Sequence, residues 1–283
     1  MRRVAMSFLF FMISSVLFGQ EQAIAKIHYS FKHVNDTNRR DQPLRDEVVT
    51  YLATNSSYYT TYSDVRIKED ISAQKLVQGY DGHLVLRLIG TPTKDFYIIR
   101  PNEQYMEHIQ AISSSFDVYE SQANYEVPVW EIAEDTKEIG GYVCQKATTR
   151  FQGRSYTAWF TTEIPFPFGP WKLHGLPGLI LSAVDELEEV VYDYLGFDKL
   201  EKENSVIIET PGYVIKATQK DINRLIKTFE ENQEQYYALL RNSGRMALAY
   251  DFYGANYGKN TFDFKFPSDY KPSFQTNNPL EKL

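Results

Sequence analysis

The stretch VWEIAEDTKEIGGYVCQKATTRFQGRSYTAWFTTEIPFPFGPWKLHGLPGLILSAVD, residues 129–185 of a 283-residue chain, decides how the fold is read. Its first half predicts a meander: a strand carrying Trp130, a turn at EDTK, a long strand from Val143 to Phe151, a return at QGR, and a strand over SYTAWFT. Its second half spends glycines and prolines inside an apolar run. Pro177 suits the second position of a type II turn and Gly178 the positive φ of its third, so Gly175, Leu176, Pro177, Gly178, Leu179 and Ile180 read as a tight corner. LILSAVD then forms the next strand, which ELEE turns into VVYDYLGFDKLE.

Working outward, AKIHYSFKHV alternates Ile27, Tyr29 and Phe31 with polar neighbours, and DEVVTYLAT, SSYYTTYSD, HLVLRLIG, DFYIIRP and EQYMEHI are further short strands. Residues 68–82 follow neither period. Towards the C-terminus, Ile222, Leu225, Ile226, Phe229, Tyr236 and Leu240 recur on one face, interrupted by Gln233, and predict one helix from about Asp221 to Asn242. Asp221 is its expected N-cap and Gly244 its expected terminator. The tail ending NNPLEKL is expected to be extended. The fold expected is mainly β, of the α+β class: a large curved antiparallel sheet or half-barrel with one long helix packed against it.

Composition agrees. With 43% hydrophobic, 24% charged and 15% aromatic residues, the chain is globular rather than disordered and rich in side chains that suit strands. MRRVAMSFLFFMISSVLFG has the basic start, short apolar run and small final residue of a secretory signal, which predicts residues 1–19 as a signal peptide and 20–283 as a single domain. No cysteine stands at the cleavage point, so the expected product is soluble in the periplasm or outside the cell and not a lipoprotein. No second run is long enough to span a membrane. Losing Arg2 and Arg3 leaves 28 basic against 37 acidic residues, a charge of −9 that opposes nucleic acid as a partner. The one cysteine, Cys144, excludes an internal disulfide and reads as a buried strand residue.

No local signature of a nucleophile, metal, phosphate or dinucleotide site is present, so no catalytic residue, metal ligand or cofactor is assigned. The carboxylates Asp185, Glu186, Glu188 and Glu189 read as a solvated hairpin tip. The feature closest to a site is the ring group Trp159, Phe166, Phe168 and Trp171, with His174 beside it, stiffened by Pro165, Pro167 and Pro170. If those rings face solvent, they form a binding face for an apolar ligand or a protein partner; if they close the core, they do not.

Residues 129–185 strongly resemble the signature region of the GLPGLI family of exported Gram-negative envelope proteins. Gly175 to Ile180 reproduce its motif, and Trp130, Lys137, Gly141, Tyr142, Cys144, Lys146, Trp159, Pro165, Gly169 and Pro170 stand where its pattern has them. The resemblance implies export and a mostly β fold, and brings no activity, cofactor or catalytic residue. The function expected is a noncatalytic cell-envelope protein that binds an apolar ligand or a protein partner. An exported hydrolase without a local signature and a purely structural envelope component are the alternatives.

Overall fold

The computed structural model describes residues 21–113, 117–243 and 261–282. The expected signal peptide, Gln20 and Gly244 lie outside them. The elements in chain order are β1 (Glu21–Gln22), β2 (Ala25–His33), β3 (Leu44–Leu52), β4 (Ser57–Thr61), α1 (Ser63–Lys75), β5 (His83–Arg87), β6 (Asp95–Arg100) and β7 (Tyr105–Ala111). They continue with β8 (Val118–Ala123), β9 (Glu131–Ile139), β10 (Tyr142–Phe151), β11 (Arg154–Thr161), β12 (Leu179–Asp185), β13 (Val190–Lys199), β14 (Ile207–Ile208) and β15 (Ile215–Lys216). The helices α2 (Gln219–Glu231) and α3 (Gln233–Asn242) and the strand β16 (Thr261–Lys265) complete the list.

One sheet of 12 strands dominates, in the order β15-β8-β7-β6-β4-β3-β2-β13-β12-β11-β10-β9. All its pairings are antiparallel except β15 with β8. The two turns of the β9–β11 meander use residues with positive φ, the geometry that matches the twist of paired strands. Gly140 and Gly141 (φ 60° and 86°) turn β9 into β10, and Gln152 and Gly153 (φ 48° and 75°) turn β10 into β11. The first turn corrects the expectation at EDTK, which lies inside β9. Two adjacent glycines enter the left-handed region at less cost than Glu, Asp, Thr and Lys do.

Both faces of the sheet are packed. On the first, Ile27, Tyr29, Phe31, Val48, Tyr59, Tyr97, Tyr156, Ala158 and Phe160 form the main core. The segment between β11 and β12 folds across it, inserting Phe168, Trp171, Leu173 and Leu176. Thr50 donates to the Gly169 carbonyl at 3.0 Å, which pins this segment to β3, and the Tyr29 hydroxyl donates to the Ile180 carbonyl at 2.6 Å, which ties β2 to the start of β12. On the second face Val49, Tyr51, Phe96, Ile98, Ile109 and Val118 pack beneath Ile208, with Leu200, Val206, Tyr213 and Val214 of the following segment against them. Cys144 is fully buried.

The expected long C-terminal helix is corrected. The segment divides at Asn232 (φ −154°, ψ 85°), which ends α2 and caps α3 by accepting from the Gln235 N–H. Thr218, not Asp221, caps α2. An asparagine oxygen satisfies the orphan donors of a new first turn better than Asn232 would pack in a helix interior, so the chain restarts there. The two short helices bury Ile222, Tyr236 and Leu240 against Ile112 and Tyr119 near β7 and β8. The unclassified residues 68–82 hold most of α1, whose weak apolar face buries only Ser63, Ile67 and Ile71. Among the described residues no helix is long and apolar enough to cross a membrane.

Candidate functional site

The ring group does not form one exposed face. Phe168, Trp171 and His174 are buried at 1% exposure, while Trp159 and Phe166 are half-buried. Trp171 packs against Phe151 and Tyr156 at ring separations of 5.8 and 6.1 Å, inside the main core. Trp159 packs against the rim of that core, half-buried, with the Lys137 ammonium 4.4 Å from its ring centre. His174 Nδ1–H donates to the Lys172 carbonyl at 2.8 Å, and burial lowers its pKa below the usual imidazole range. The rings close the core because the segment that carries them is bound to the sheet by backbone hydrogen bonds, among them Leu179 N–H to Ile164 and Ile180 N–H to Phe168.

The corner also differs from its reading. Gly178 has no positive φ; the left-handed residues here are Gly175 (φ 91°) and Trp171 (φ 54°). Gly178 is required by close approach, since a Cβ there would lie 2.0 Å from the Thr161 carbonyl oxygen.

Two polar clusters are buried at the sheet. Arg154, at the start of β11, is buried and donates to Asp185 (2.6 Å), Glu189 (3.3 Å), the Asn278 side chain (2.8 Å) and the carbonyls of Pro279 (2.6 Å) and Leu280 (3.0 Å). Asp185 and Glu189 are therefore buried, although Glu186 and Glu188 between them are exposed as expected of a hairpin tip. This cluster holds the NNPLEK segment onto the sheet. A second cluster places His28 between two carboxylates: Nδ1–H donates to Glu47 at 2.9 Å and Nε2 stands 3.8 Å from Asp198. Burial alone would raise the Glu47 pKa, but hydrogen bonds from His28 and Arg66 outweigh it and hold it low. Glu47 is thus tied to a cation rather than poised to accept a proton.

Among the described residues a concave feature lies elsewhere. A hollow of about 290 Å³ opens at one end of the sheet, lined by Glu21, Asn55, Arg100, Asn102 and Glu103. Its walls are the β3–β4 turn, the turn after β6, and β1, which pairs with β14. Glu21 accepts from the Asn55 N–H (3.2 Å), the Asn55 side-chain amide (2.9 Å) and the Ser56 hydroxyl (2.5 Å). Asn102 donates to the Asn55 Oδ1 at 2.9 Å, so amide and carboxylate planes run in a chain along one wall. Arg100 closes the floor. Its guanidinium donates to Glu107 at 2.8 Å and to the Ile208 carbonyl at 3.2 Å, and with five N–H groups it keeps donors for a ligand. Glu107 is fixed in turn by the Thr210 hydroxyl, and Gln104 in the left-handed region (φ 49°) presents Asn102 and Glu103 at the rim. Such a hollow can hold a ligand rich in hydroxyl groups by hydrogen bonds to its amide, carboxylate and guanidinium groups. Among the described residues no group of three His, Cys, Asp or Glu side chains is placed to hold a metal ion.

Sequence reading missed all five lining residues. One signal was present: Arg100 ends the buried run DFYIIR directly before a Pro-Asn-Glu turn, where a charge must find a partner or a purpose.

Comparison with known proteins adds the lineage. No curated protein matches the chain. Two solved structures of PNGF-II, in the P21 and C2 crystal forms, are similar at 13% and 11% identity with TM-scores of 0.46 and 0.45. They cover 73% and 71% of this chain, which spans about a third of their length (33% and 32%). The family model described as N-glycanase peptide, N-terminal domain matches residues 81–223, which include Arg100, Asn102 and Glu103 together with the whole region from β9 to β13. With just over half of the chain inside that match, this protein belongs to the PNGase F-II N-terminal domain family.

Proposed function

We propose that this chain is an exported, noncatalytic binding protein of the cell envelope, and that it recognises the N-linked glycan of a glycoprotein partner through the hollow around Arg100. The observation that carries this reading is the hollow's lining of amide, carboxylate and guanidinium groups. Planar side chains of these kinds pair with adjacent sugar hydroxyls, while an apolar ligand would displace water from them and supply no hydrogen bond in return. The family's name, which speaks of N-glycanases, supports glycan as the ligand class. Export and kinship with the GLPGLI proteins rest on residues 1–19 and 129–185.

Calorimetric titration of the chain with a free N-glycan tests the proposal, together with a gel-shift assay on an N-glycosylated protein. Binding is expected at a Kd in the micromolar to millimolar range, lost by tenfold or more in Arg100→Ala, with no release of glycan from the glycoprotein. Deglycosylation by the purified chain would overturn the noncatalytic reading. Unchanged binding by Arg100→Ala would remove the hollow as the site.

A further inference from the structure

We infer that the hollow selects neutral glycans against anionic ones, and that Glu103 is the residue that sets this selectivity. The inference rests on the glycan reading above and concerns the charge of the ligand, which that reading leaves open. Two carboxylates, Glu21 and Glu103, line the hollow against one guanidinium. The charge of Arg100 is already matched, since Glu107 pairs with it at 2.8 Å and the pair is nearly buried. Glu120 stands beside this pair, its pKa raised by burial and by the Glu107 charge. Lys216 is set against Glu120 at 3.7 Å and lies outside the lining of the hollow. Among the lining residues themselves, two carboxylates against one guanidinium leave a net charge of −1.

The two carboxylates differ in what they can do. Glu21 is committed to three donors from Asn55 and Ser56, which disperse its charge. Glu103 is exposed at the rim and makes no hydrogen bond or ion pair among the described residues. A sialic acid or phosphate entering the hollow would meet this uncompensated charge, and like charges brought together discriminate against a ligand without any loss of contacts to the neutral one. A hexose or N-acetylhexosamine hydroxyl would instead donate to it.

The test compares a neutral biantennary N-glycan with its sialylated counterpart by fluorescence anisotropy, using the full chain at low and at moderate salt. The wild type is expected to bind the neutral glycan at least about tenfold tighter, with a ratio that shrinks as salt rises. Glu103→Lys should bring the two affinities to within about threefold, and Glu103→Gln should fall between. Thermal melting confirms that these rim variants are folded. Equal binding of both glycans by the wild type overturns the selectivity alone, as does a ratio that Glu103→Lys leaves unchanged. Failure to bind either glycan overturns the glycan reading and the selectivity with it.

Discussion

Replacing Arg154 by alanine should destabilise the protein by about 3–5 kcal/mol, the range for breaking a buried ion pair from one side. Its guanidinium is 1% exposed, and the carboxylates it touches, Asp185 and Glu189, are 4% exposed. Truncation leaves Asp185 with only the N–H groups of Glu189 and Val190, at 2.7 and 2.9 Å. Glu189 keeps Arg40, at 2.6 Å, as a half-exposed partner, which moderates the loss. The carbonyls of Pro279 and Leu280 and the Asn278 side chain lose their shared donor, at roughly 1 kcal/mol each. Urea unfolding followed by tryptophan fluorescence measures the cost, and hydrogen exchange of the amides of residues 277–282 reports whether the NNPLEK segment has come loose. Arg40→Ala is the control, expected below about 1 kcal/mol because that guanidinium is half in water. An Arg154→Ala midpoint within about 1 kcal/mol of wild type, with the segment still protected, would show that the cluster does not hold the tail.

Three further outcomes follow from the packing. Trp171→Ala should cost roughly 3–5 kcal/mol in a urea titration, since the ring is buried among Phe151, Tyr156 and the plugging segment, and a loss under 1 kcal/mol would contradict its place in the core. Gly178→Ala should lower the melting temperature by an amount equivalent to about 1–3 kcal/mol, because the new Cβ meets the Thr161 carbonyl rather than because of φ; an unchanged melt would refute the close approach. Asp46 is buried beside the Ser63 hydroxyl and the Thr93 N–H, and burial raises its pKa from 3.8 to about 7. Because the folded state holds this proton more tightly than the unfolded chain, the contribution is present below about pH 4 and is lost as pH rises towards 7. The wild type should therefore lose stability relative to Asp46→Asn across that window, and a constant difference between the two would contradict the shift.

The strands of the sheet were legible because alternation survives wherever one face is more buried than the other. Ile27, Tyr29 and Phe31 on the first face of β2, with Ser30 exposed between them, show it plainly. The helix was misread at Asn232 because a periodic apolar stripe continues across a cap when two helices share one face. Both α2 and α3 bury residues against the same pair, Ile112 and Tyr119. The ring group was legible as a cluster but not as core, since a proline-stiffened apolar run has the same composition whether it covers a sheet or faces a ligand. The hollow was illegible for a different reason. Glu21, Asn55 and Arg100 are far apart in sequence and meet only because β4 pairs with β6 and β1 with β14, a topology that no local pattern specifies.

The most direct test of the central claim is chemical-shift mapping of the isotope-labelled chain during titration with a neutral N-glycan. The account predicts that the largest perturbations fall on Asn55, Arg100, Asn102 and Glu103, with the Arg100 side-chain N–H signals among them. Perturbations centred on Trp159 and Phe166, with the Arg100 turn unmoved, would contradict it.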